Sequence, residues 1–213
     1  MSQAKVLSLF PEMLTPEEKV SSKNFLSDYE KELGKLKCTE VADYCKNYGD
    51  QALHNSNKIS IGKGNVPVMP VISRHMKSIP DLMNLLKDHK GNSGKNRLNP
   101  VFIRNLYVGQ HLFYWIYNVN FGKNLKDRSP LGAEDVISRG AKKPLSIEEV
   151  ITLCIFYPLH LKYQVVALGS VYGDSKQSYV SEVPVVGMRE NKLILYSIKR
   201  VEDKQGFIYP TKF

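Results

Sequence analysis

A glycine-rich loop is the first stretch of this sequence whose residue types could bind an anion. Gly91-Asn92-Ser93-Gly94-Lys95 has two residues between its glycines and an asparagine after its lysine. A phosphate-binding P-loop has four residues between the glycines and Ser or Thr after the lysine, so this stretch is not one. Glycines still let backbone N–H groups turn toward an anion. Lys95 and Arg97 are therefore candidate anion-binding residues, with an ordinary surface loop as the alternative.

A second candidate anion site precedes the best-marked helix of the chain. Ser146, with Glu149 three residues later, forms the capping box typical of a helix N-terminus. The positive end of a helix dipole favours negative charge, and basic residues stand just before this helix. The sequence therefore predicts anion binding by Arg139, Lys142 and Lys143. The alternative is a solvated lysine-rich loop.

Asp174 is the candidate acid or base. It follows Gly173 at the predicted end of a strand, where a carboxylate would project from the sheet, and a routine Gly-Asp turn is the alternative. No nucleophile motif accompanies it, because Gly169-Ser170 is followed by a glycine that comes one residue too late for a nucleophile elbow. The sequence does not decide whether the protein is an enzyme.

The histidines and cysteines predict no metal or cofactor. No two of the five histidines are four residues apart, and none stands with a carboxylate at ligand spacing. Cys38, Cys45 and Cys154 match no zinc motif and cannot all pair with one another. Reduced thiols in a cytoplasmic compartment fit best.

Length and composition indicate a folded protein. The 213 residues are 42% hydrophobic and 24% charged, which is enough apolar material for a sizeable core. The longest strongly apolar run covers about residues 112–119, far below the roughly 20 residues that a membrane-spanning helix needs. The first residues contain no long apolar stretch, so we expect no secretory signal. Oligomeric state cannot be read from these features.

The positive charge is concentrated in the middle of the chain. The net charge is +9, and residues 58–128 carry 12 basic and 3 acidic side chains, which equals the whole excess. A positive field over one region attracts polyanions and acidic partners. We therefore predict contact with nucleic acid or an acidic protein through residues 58–128, with a partnerless solvated face as the alternative.

The first 57 residues predict a pair of helices. Thr15 and Pro16 are a candidate N-cap and first helical position, and apolar residues then recur at helical spacing through Leu36. Thr39 is a candidate cap for a second helix that extends to Leu53. The polar segment Asn55–Gly64 is typical of a linker.

The rest of the chain predicts strands and further helices. Helices are expected at Asp81–His89, Pro130–Gly140 and Ser146–Phe156. Strands are expected at Val66–Ser73, Leu112–Asn120, Gln164–Tyr172, Tyr179–Met188, Leu193–Lys199 and Phe207–Tyr209. Residues 112–120 have the aromatic and β-branched content of a central, buried strand.

This order of elements predicts an α+β fold. A helical N-terminal segment, residues 1–57, is followed by an α+β domain, residues 66–213, with a mixed, mainly antiparallel sheet and packed helices. Arg189-Glu190-Asn191-Lys192 is the predicted hairpin turn between two of its strands.

Several short blocks resemble an actinobacterial protein family of unknown function. Residues 139–150 read Arg-Gly-Ala-Lys-Lys-Pro-Leu-Ser-Ile-Glu-Glu-Val, similar to that family's arginine-glycine, proline-leucine-threonine and paired-acid run. Residues 114–122, a tyrosine-rich strand before a glycine turn, and the glycine-serine and glycine-aspartate of residues 169–174 occur in the same order. The resemblance covers about residues 66–186. It implies a domain boundary and no reaction.

This sequence differs from that family at two places where a shared site could lie. Its members place arginines around the glycine-aspartate, where this chain has Val171 and Ser175, and they end in a tryptophan-rich segment with a histidine. Residues 192–213 of this chain contain neither Trp nor His.

Two functions of different classes follow from these features. The first is a non-enzymatic basic binding protein, in which Tyr107, Tyr114, Trp115 and Tyr117 would offer stacking platforms if exposed; we expect these rings to be mostly buried. The second is a small enzyme acting on an anionic substrate, with Asp174 as acid or base and Arg139 as the clamp.

Overall fold

The chain packs as two units. A computed structural model describes residues 22–107, 113–173, 182–201 and 206–213, with the backbone alone for residues 22–25 and 159–160. One unit contains the chain up to Pro70 together with Phe113–Asn120, and the other contains Val71–Leu112 and Phe121–Phe213. The expected Thr15 cap and the candidate Asp174 lie outside the described residues.

The first unit is built on the predicted pair of helices. Helix α1 (Ser22–Lys35) packs on α2 (Thr39–Ser56), and Tyr29 and Leu33 are fully buried between apolar side chains of the unit. The Tyr29 hydroxyl donates to the Val68 carbonyl oxygen at 3.3 Å. This hydrogen bond ties α1 to the strand that follows the helix pair.

The first unit also contains a two-stranded sheet that corrects one prediction. Strand β1 (Val66–Ile72) pairs with β4 (Phe113–Val119) alone among the described strands. Four of the seven residues of β4 are half-buried. The expectation of a central, buried strand at residues 112–120 is therefore wrong, because its aromatic side chains pack against a helix instead of filling the middle of a sheet.

Asn118 fixes the segment expected to be a linker. It is 4% exposed and has a φ of 50°, a left-handed conformation that Asn tolerates better than most residues. Its side-chain oxygen accepts from the Gly62 N–H at 3.1 Å, and its amide donates to the Ser60 carbonyl oxygen at 3.0 Å. Residues 60–62 are therefore held to the end of β4 and belong to the first unit.

A seven-stranded sheet forms the framework of the second unit. Its centre is the hairpin of β8 (Glu182–Arg189) and β9 (Lys192–Lys199), which pair along their whole length. The positive φ angles of Glu190 and Asn191, 53° and 57°, are those of a type I′ hairpin turn. The other strands are β2 (Lys95–Asn96), β3 (Ile103–Asn105), β6 (Gln164–Val166), β7 (Ser170–Tyr172) and β10 (Phe207–Ile208).

Antiparallel pairs predominate in this sheet. Strand β8 pairs antiparallel with β6, β7 and β9, and β7 pairs antiparallel with β3, whereas β10–β6 and β2–β9 are parallel. A separate antiparallel pair joins β5 (Lys143–Pro144) to β11 (Thr211–Lys212). The predicted mixed, mainly antiparallel sheet, and with it the α+β class, is confirmed.

Three helices pack in the second unit: α3 (Ile79–Leu85), α4 (Pro130–Ser138) and α5 (Ile147–Phe156). Ser78 and Ser129 cap the first two, each followed by a proline in the first turn. Helix α5 begins with the predicted capping box and has nine of its ten residues buried. It is therefore a core helix without a solvent face.

The predicted strand at Gln164–Tyr172 is divided into β6 and β7. Gly169 lies between them, so close to Leu145 that a Cβ would stand 2.7 Å from the Leu145 carbonyl oxygen. The Gly169 N–H donates to that oxygen at 2.8 Å. The chain turns here to meet the start of α5, which is why one apolar run makes two strands.

Buried side chains of the main sheet and of α4 form one apolar cluster in the second unit. It includes Val166, Val183, Ile194, Phe207 and Tyr209, together with residues of α4. None of the helices in the described part of the chain is long and apolar enough to span a bilayer.

Gly122 provides a test of this packing. Its φ is 74°, and a Cβ would overlap the backbone of Tyr209. Gly122→Ala should lower the free energy of unfolding by about 2–5 kcal/mol, since a left-handed residue and an overpacked core each carry a cost. Urea denaturation measures this loss.

The matched control is Gly91→Ala in the same unit. Gly91 has a φ of 83°, and no atom lies within 4 Å of the place that a Cβ would take, so only the backbone cost of about 1–2 kcal/mol applies. Equal losses for the two variants would contradict the close approach of Tyr209 to Gly122.

Candidate anion-binding surface

The predicted anion-binding residues occupy two places in the second unit. Lys95 lies on β2 and Arg97 directly follows it, and both are exposed. Lys143 is exposed on β5, which pairs with β11 and not with the main sheet. Lys142 is half-buried, and Arg139 ends α4 with its guanidinium 2.6 Å from the Asp135 carboxylate.

The backbone N–H groups at the start of α5 already have partners. The Ser146 N–H donates to the Glu149 carboxylate at 2.8 Å, and the Ile147 N–H donates to the Ser170 hydroxyl at 2.8 Å. Lys212 donates to the other Glu149 oxygen. Glu149 is completely buried, so the anion that this helix end attracts is a carboxylate of its own chain.

A buried polar network joins Glu148 to β3 and β7. The Glu148 carboxylate accepts from Arg74 and, at 2.7 Å, from the Asn105 amide. Arg74 also donates to the Ile103 carbonyl oxygen at 2.9 Å and to the Asn105 side-chain oxygen at 3.0 Å. The Ser170 hydroxyl donates to the same Asn105 oxygen at 2.6 Å. Each charged group in this network therefore has an opposite charge or a hydrogen-bond partner.

Sequence reasoning missed this network, although one signal pointed to it. Glu148 and Glu149 stand in Ile-Glu-Glu-Val-Ile-Thr-Leu-Cys-Ile-Phe, where apolar residues surround the helix on all sides. A helix without a polar face is buried, so its carboxylates require buried partners. Capping and the helix dipole explain the position of Glu149 and leave Glu148 unexplained.

The glycine-rich loop carries exposed cations on an ordered backbone. Lys87–Arg97, here called the basic loop, exposes Lys87, Lys90, Lys95 and Arg97. Asp88 is 3% exposed and accepts from the backbone N–H groups of Lys90 and Asn92, both at 2.8 Å. The loop is therefore folded around its one carboxylate.

The hydrogen bonds lower the pKa of the Asp88 carboxyl. The Asn92 side chain, 3.0 Å away, stabilises the carboxylate most, burial opposes it, and the N–H groups of Asn92 and Lys90 and the charge of His89 add to it. Donors that bind the charged form favour ionisation. Asp88 is thus held as a carboxylate while the lysines on either side face solvent.

The hairpin turn of the main sheet lies beside the basic loop. Strand β2 runs parallel to β9, with Lys95 opposite Ile194, and the Arg97 N–H donates to the Leu195 carbonyl oxygen at 3.0 Å. The Arg97 guanidinium lies 3.7 Å from the Glu190 carboxylate in the turn. Both groups are about half exposed or more, so this pair contributes little stability and only partly offsets the positive charge.

The candidate stacking residues divide into exposed and packed rings. Tyr107 is 50% exposed, so the expectation that it is buried is wrong. Trp115 is half-buried on β4, where it stacks on Tyr44 with ring centroids 5.9 Å apart, and Tyr114 and Tyr117 are half-buried. The rings of β4 serve the packing of the first unit, whereas Tyr107 lies in the second.

Burial keeps the thiols from acting as nucleophiles. Cys38, Cys45 and Cys154, all within the described ranges, are buried, and none of the three is in a disulfide. Burial raises the pKa of Cys45 and of Cys154 to about 12. The described residues contain no group of three or more His, Cys, Asp or Glu side chains that could hold a metal ion.

Comparison with known proteins does not add an identification. No protein-family model, no curated protein and no solved structure matches the chain. The resemblance to an actinobacterial family stays a prediction.

Replacing Glu148 tests the buried network. Glu148→Gln should lower the free energy of unfolding by about 2–4 kcal/mol, because the mostly buried Arg74 loses its counter-charge. We expect a smaller loss of stability than for a fully buried ion pair because 26% of the Arg74 side chain is exposed. Urea denaturation of Glu148→Leu, of Arg74→Met and of the double variant that combines them, beside Glu148→Gln, measures the coupling between the two side chains.

The double variant is the informative control. Removing both charges leaves no unpaired ion, so it should be more stable than Glu148→Gln alone. Additive losses from the two positions would mean that the ion pair is not the interaction that matters.

Asp88→Asn should destabilise the protein at neutral pH and much less in acid. The lowered pKa means that the Asp88 carboxylate stabilises the fold above the pKa of the unfolded chain, about 3.9, and that this stability is lost as the pH falls through the lower folded value. The difference in unfolding free energy between wild type and variant should therefore shrink between neutral pH and about pH 3. A difference that is independent of pH would refute the role of the charge.

Proposed function

We propose that this protein is a non-enzymatic binding protein that contacts a polyanion through the basic loop. Ten of the twelve basic residues in 58–128 belong to the second unit, and the other two, Lys58 and Lys63, belong to the first. Four of these ten lie within Lys87–Arg97 and are exposed. This local group of exposed cations is the observation that carries the proposal.

The charge of the basic loop is largely uncompensated by its neighbours. Its own carboxylate, Asp88, is turned inward to backbone N–H groups. Glu190 is the acidic partner of Arg97, and on the same turn Arg189 and Lys192 are exposed as well. An excess of exposed positive charge attracts polyanions, and salt screens this attraction.

The ordered backbone of the basic loop is a second feature that favours binding. The basic loop is held at both ends by backbone interactions. Lys87 and Ser93 form an isolated antiparallel β-bridge, and the Gly94 N–H donates to the Leu86 carbonyl oxygen at 2.8 Å. The pairing of β2 with β9 holds the end of the loop. Cations on an ordered loop lose less conformational freedom on binding than cations on a flexible tail. Exposed Ser93 has a hydroxyl, a neutral donor of the kind that contacts phosphate oxygens.

The enzymatic alternative has less support. Its clamp, Arg139, is paired with Asp135 on its own helix, and its acid or base, Asp174, lies outside the described residues. The helix N-terminus next to Lys142 and Lys143 is filled by Glu149 and Ser170.

Neutralising the basic loop tests the proposal. Lys87→Gln, Lys90→Gln and Lys95→Gln together should weaken heparin binding and reduce the slope of log affinity against log salt by about 2–3, because each neutralised phosphate or sulfate contributes about 0.9 by counterion release. Titration of labelled heparin at several salt concentrations measures both.

The matched control removes the same charge elsewhere. Lys31, Lys46 and Lys162 are exposed lysines outside the loop, and their replacement by Gln should leave the slope nearly unchanged. Equal effects of the two triple variants would point to net charge alone, and failure of the wild type to bind heparin at low salt would end the proposal.

A further inference from the structure

A short segment with exposed rings and an exposed cation follows the basic loop after four residues. Phe102 ends a 3-10 helix (Pro100–Phe102), and strand β3 follows it. Within β3, Ile103 is buried, Arg104 is exposed and Asn105 is half-buried, and Leu106 after the strand is exposed. One face of the strand is therefore anchored, and the other is presented to solvent.

The anchored face holds this strand firmly. Asn105 bonds to Glu148, and Arg74 donates to the Ile103 carbonyl oxygen. On the opposite side, β3 pairs with β7, and the ladder continues through the Leu106 N–H to the Gly169 carbonyl oxygen at 2.8 Å. The solvent-facing side chains thus project from a rigid backbone.

Two exposed aromatic rings flank β3, one before the strand and one after it. Phe102 is 38% exposed and meets Tyr172 at 74°, with ring centroids 6.5 Å apart, and Tyr107 is 50% exposed. Leaving large aromatic rings in water is unfavourable because their apolar surface stays hydrated. Exposed rings that flank a well-anchored strand are typical of a binding surface.

The stretch of chain that carries these rings has positive side chains and no acidic ones. No Asp or Glu occurs between His89 and Lys126 in the sequence, and Arg97 and Arg104 are exposed on either side of Phe102. Phe102 is five positions after Arg97, so their Cα atoms are at most about 18 Å apart. A strand of five or six nucleotides, at about 3.4 Å each when stacked, covers that distance.

We propose that the polyanion is a single-stranded nucleic acid, whose bases stack on Phe102 and Tyr107 while its phosphates contact Arg104 and the basic loop. This inference rests on the proposed function and specifies its partner. Stacking requires free base faces, which a single strand offers and a duplex does not. A duplex would place its phosphates against the exposed apolar side chains and leave the rings without a partner.

An acidic protein segment is the competing partner, and it would use different residues. It would desolvate Val101 and Leu106, the exposed aliphatic side chains of the same segment, which are 81% and 45% exposed. Ring faces are specifically needed by bases, whereas a peptide needs apolar area of any shape. The two partners are therefore distinguished by which of these side chains matter.

The test compares two double variants with the wild type. Phe102→Leu with Tyr107→Leu removes the ring faces and keeps apolar side chains, and Val101→Ala with Leu106→Ala removes the aliphatic area and keeps the rings. Fluorescence anisotropy measures binding of oligo-dT and oligo-U of about 20 nucleotides, longer than the roughly 4–16 of a single-strand site, and of a duplex of equal length. Labelled heparin is titrated in parallel, and thermal unfolding confirms that each variant is folded.

The ring variant should lose single-strand affinity by about tenfold or more for each stacked base, with heparin affinity within about twofold of wild type. The aliphatic variant should bind both oligonucleotides like wild type. Unchanged single-strand binding by the ring variant, with heparin binding intact, would overturn the single-strand inference and leave the proposed function standing. Loss confined to the aliphatic variant would also overturn it and would favour an apolar protein segment. A wild type that binds neither heparin nor any oligonucleotide would refute the proposed function itself.

Discussion

Burial of two adjacent carboxylates at the start of α5 is the constraint around which the second unit is built. Glu148 is 2% exposed and Glu149 is fully buried, and an unpaired charge at either position would be strongly destabilising. Each carboxylate receives its own cation from a distant part of the chain, Arg74 for the first and Lys212 for the second. The helix can enter the core only when both cations are in place.

These partners connect the core to the surface. Arg74 bonds to β3 as well as to Glu148, so the ion pair fixes the strand that carries Arg104 and directly follows Phe102. Lys212 lies on β11, next to Lys143 on β5, so the second pair fixes the end of the chain against the segment before α5. The binding surface that we propose would require a rigid backbone, and the buried ion pairs hold the backbone beneath it in place.

Local features of this fold could be predicted from the sequence, and long-range ones could not. The capping box at Ser146, the hairpin turn at Glu190 and the helix pair depend on neighbouring residues, and the structure contains them all. The pairing of β4 with β1 and the division at Gly169 depend on residues tens of positions away, which periodicity does not report. For the same reason the sequence located the candidate cations Lys95 and Arg97, while their ordered setting and the Arg74–Glu148 pair emerged only from the folded structure.

The burial and hydrogen bonding of Asp88 explain how a loop of modest formal charge can have a strongly positive surface. The sequence of Lys87–Arg97 contains one carboxylate and four Lys and Arg side chains. This count of formal charges takes no account of which side chains are exposed to solvent. In the folded loop the carboxylate is buried and bound to N–H groups at 2.8 Å, whereas the four cations are exposed. An incoming anion therefore meets the cations at the surface first, and the negative charge acts mainly to order the backbone beneath them. Asp88 thus lowers the net charge of the loop and also orders the backbone that carries its exposed cations.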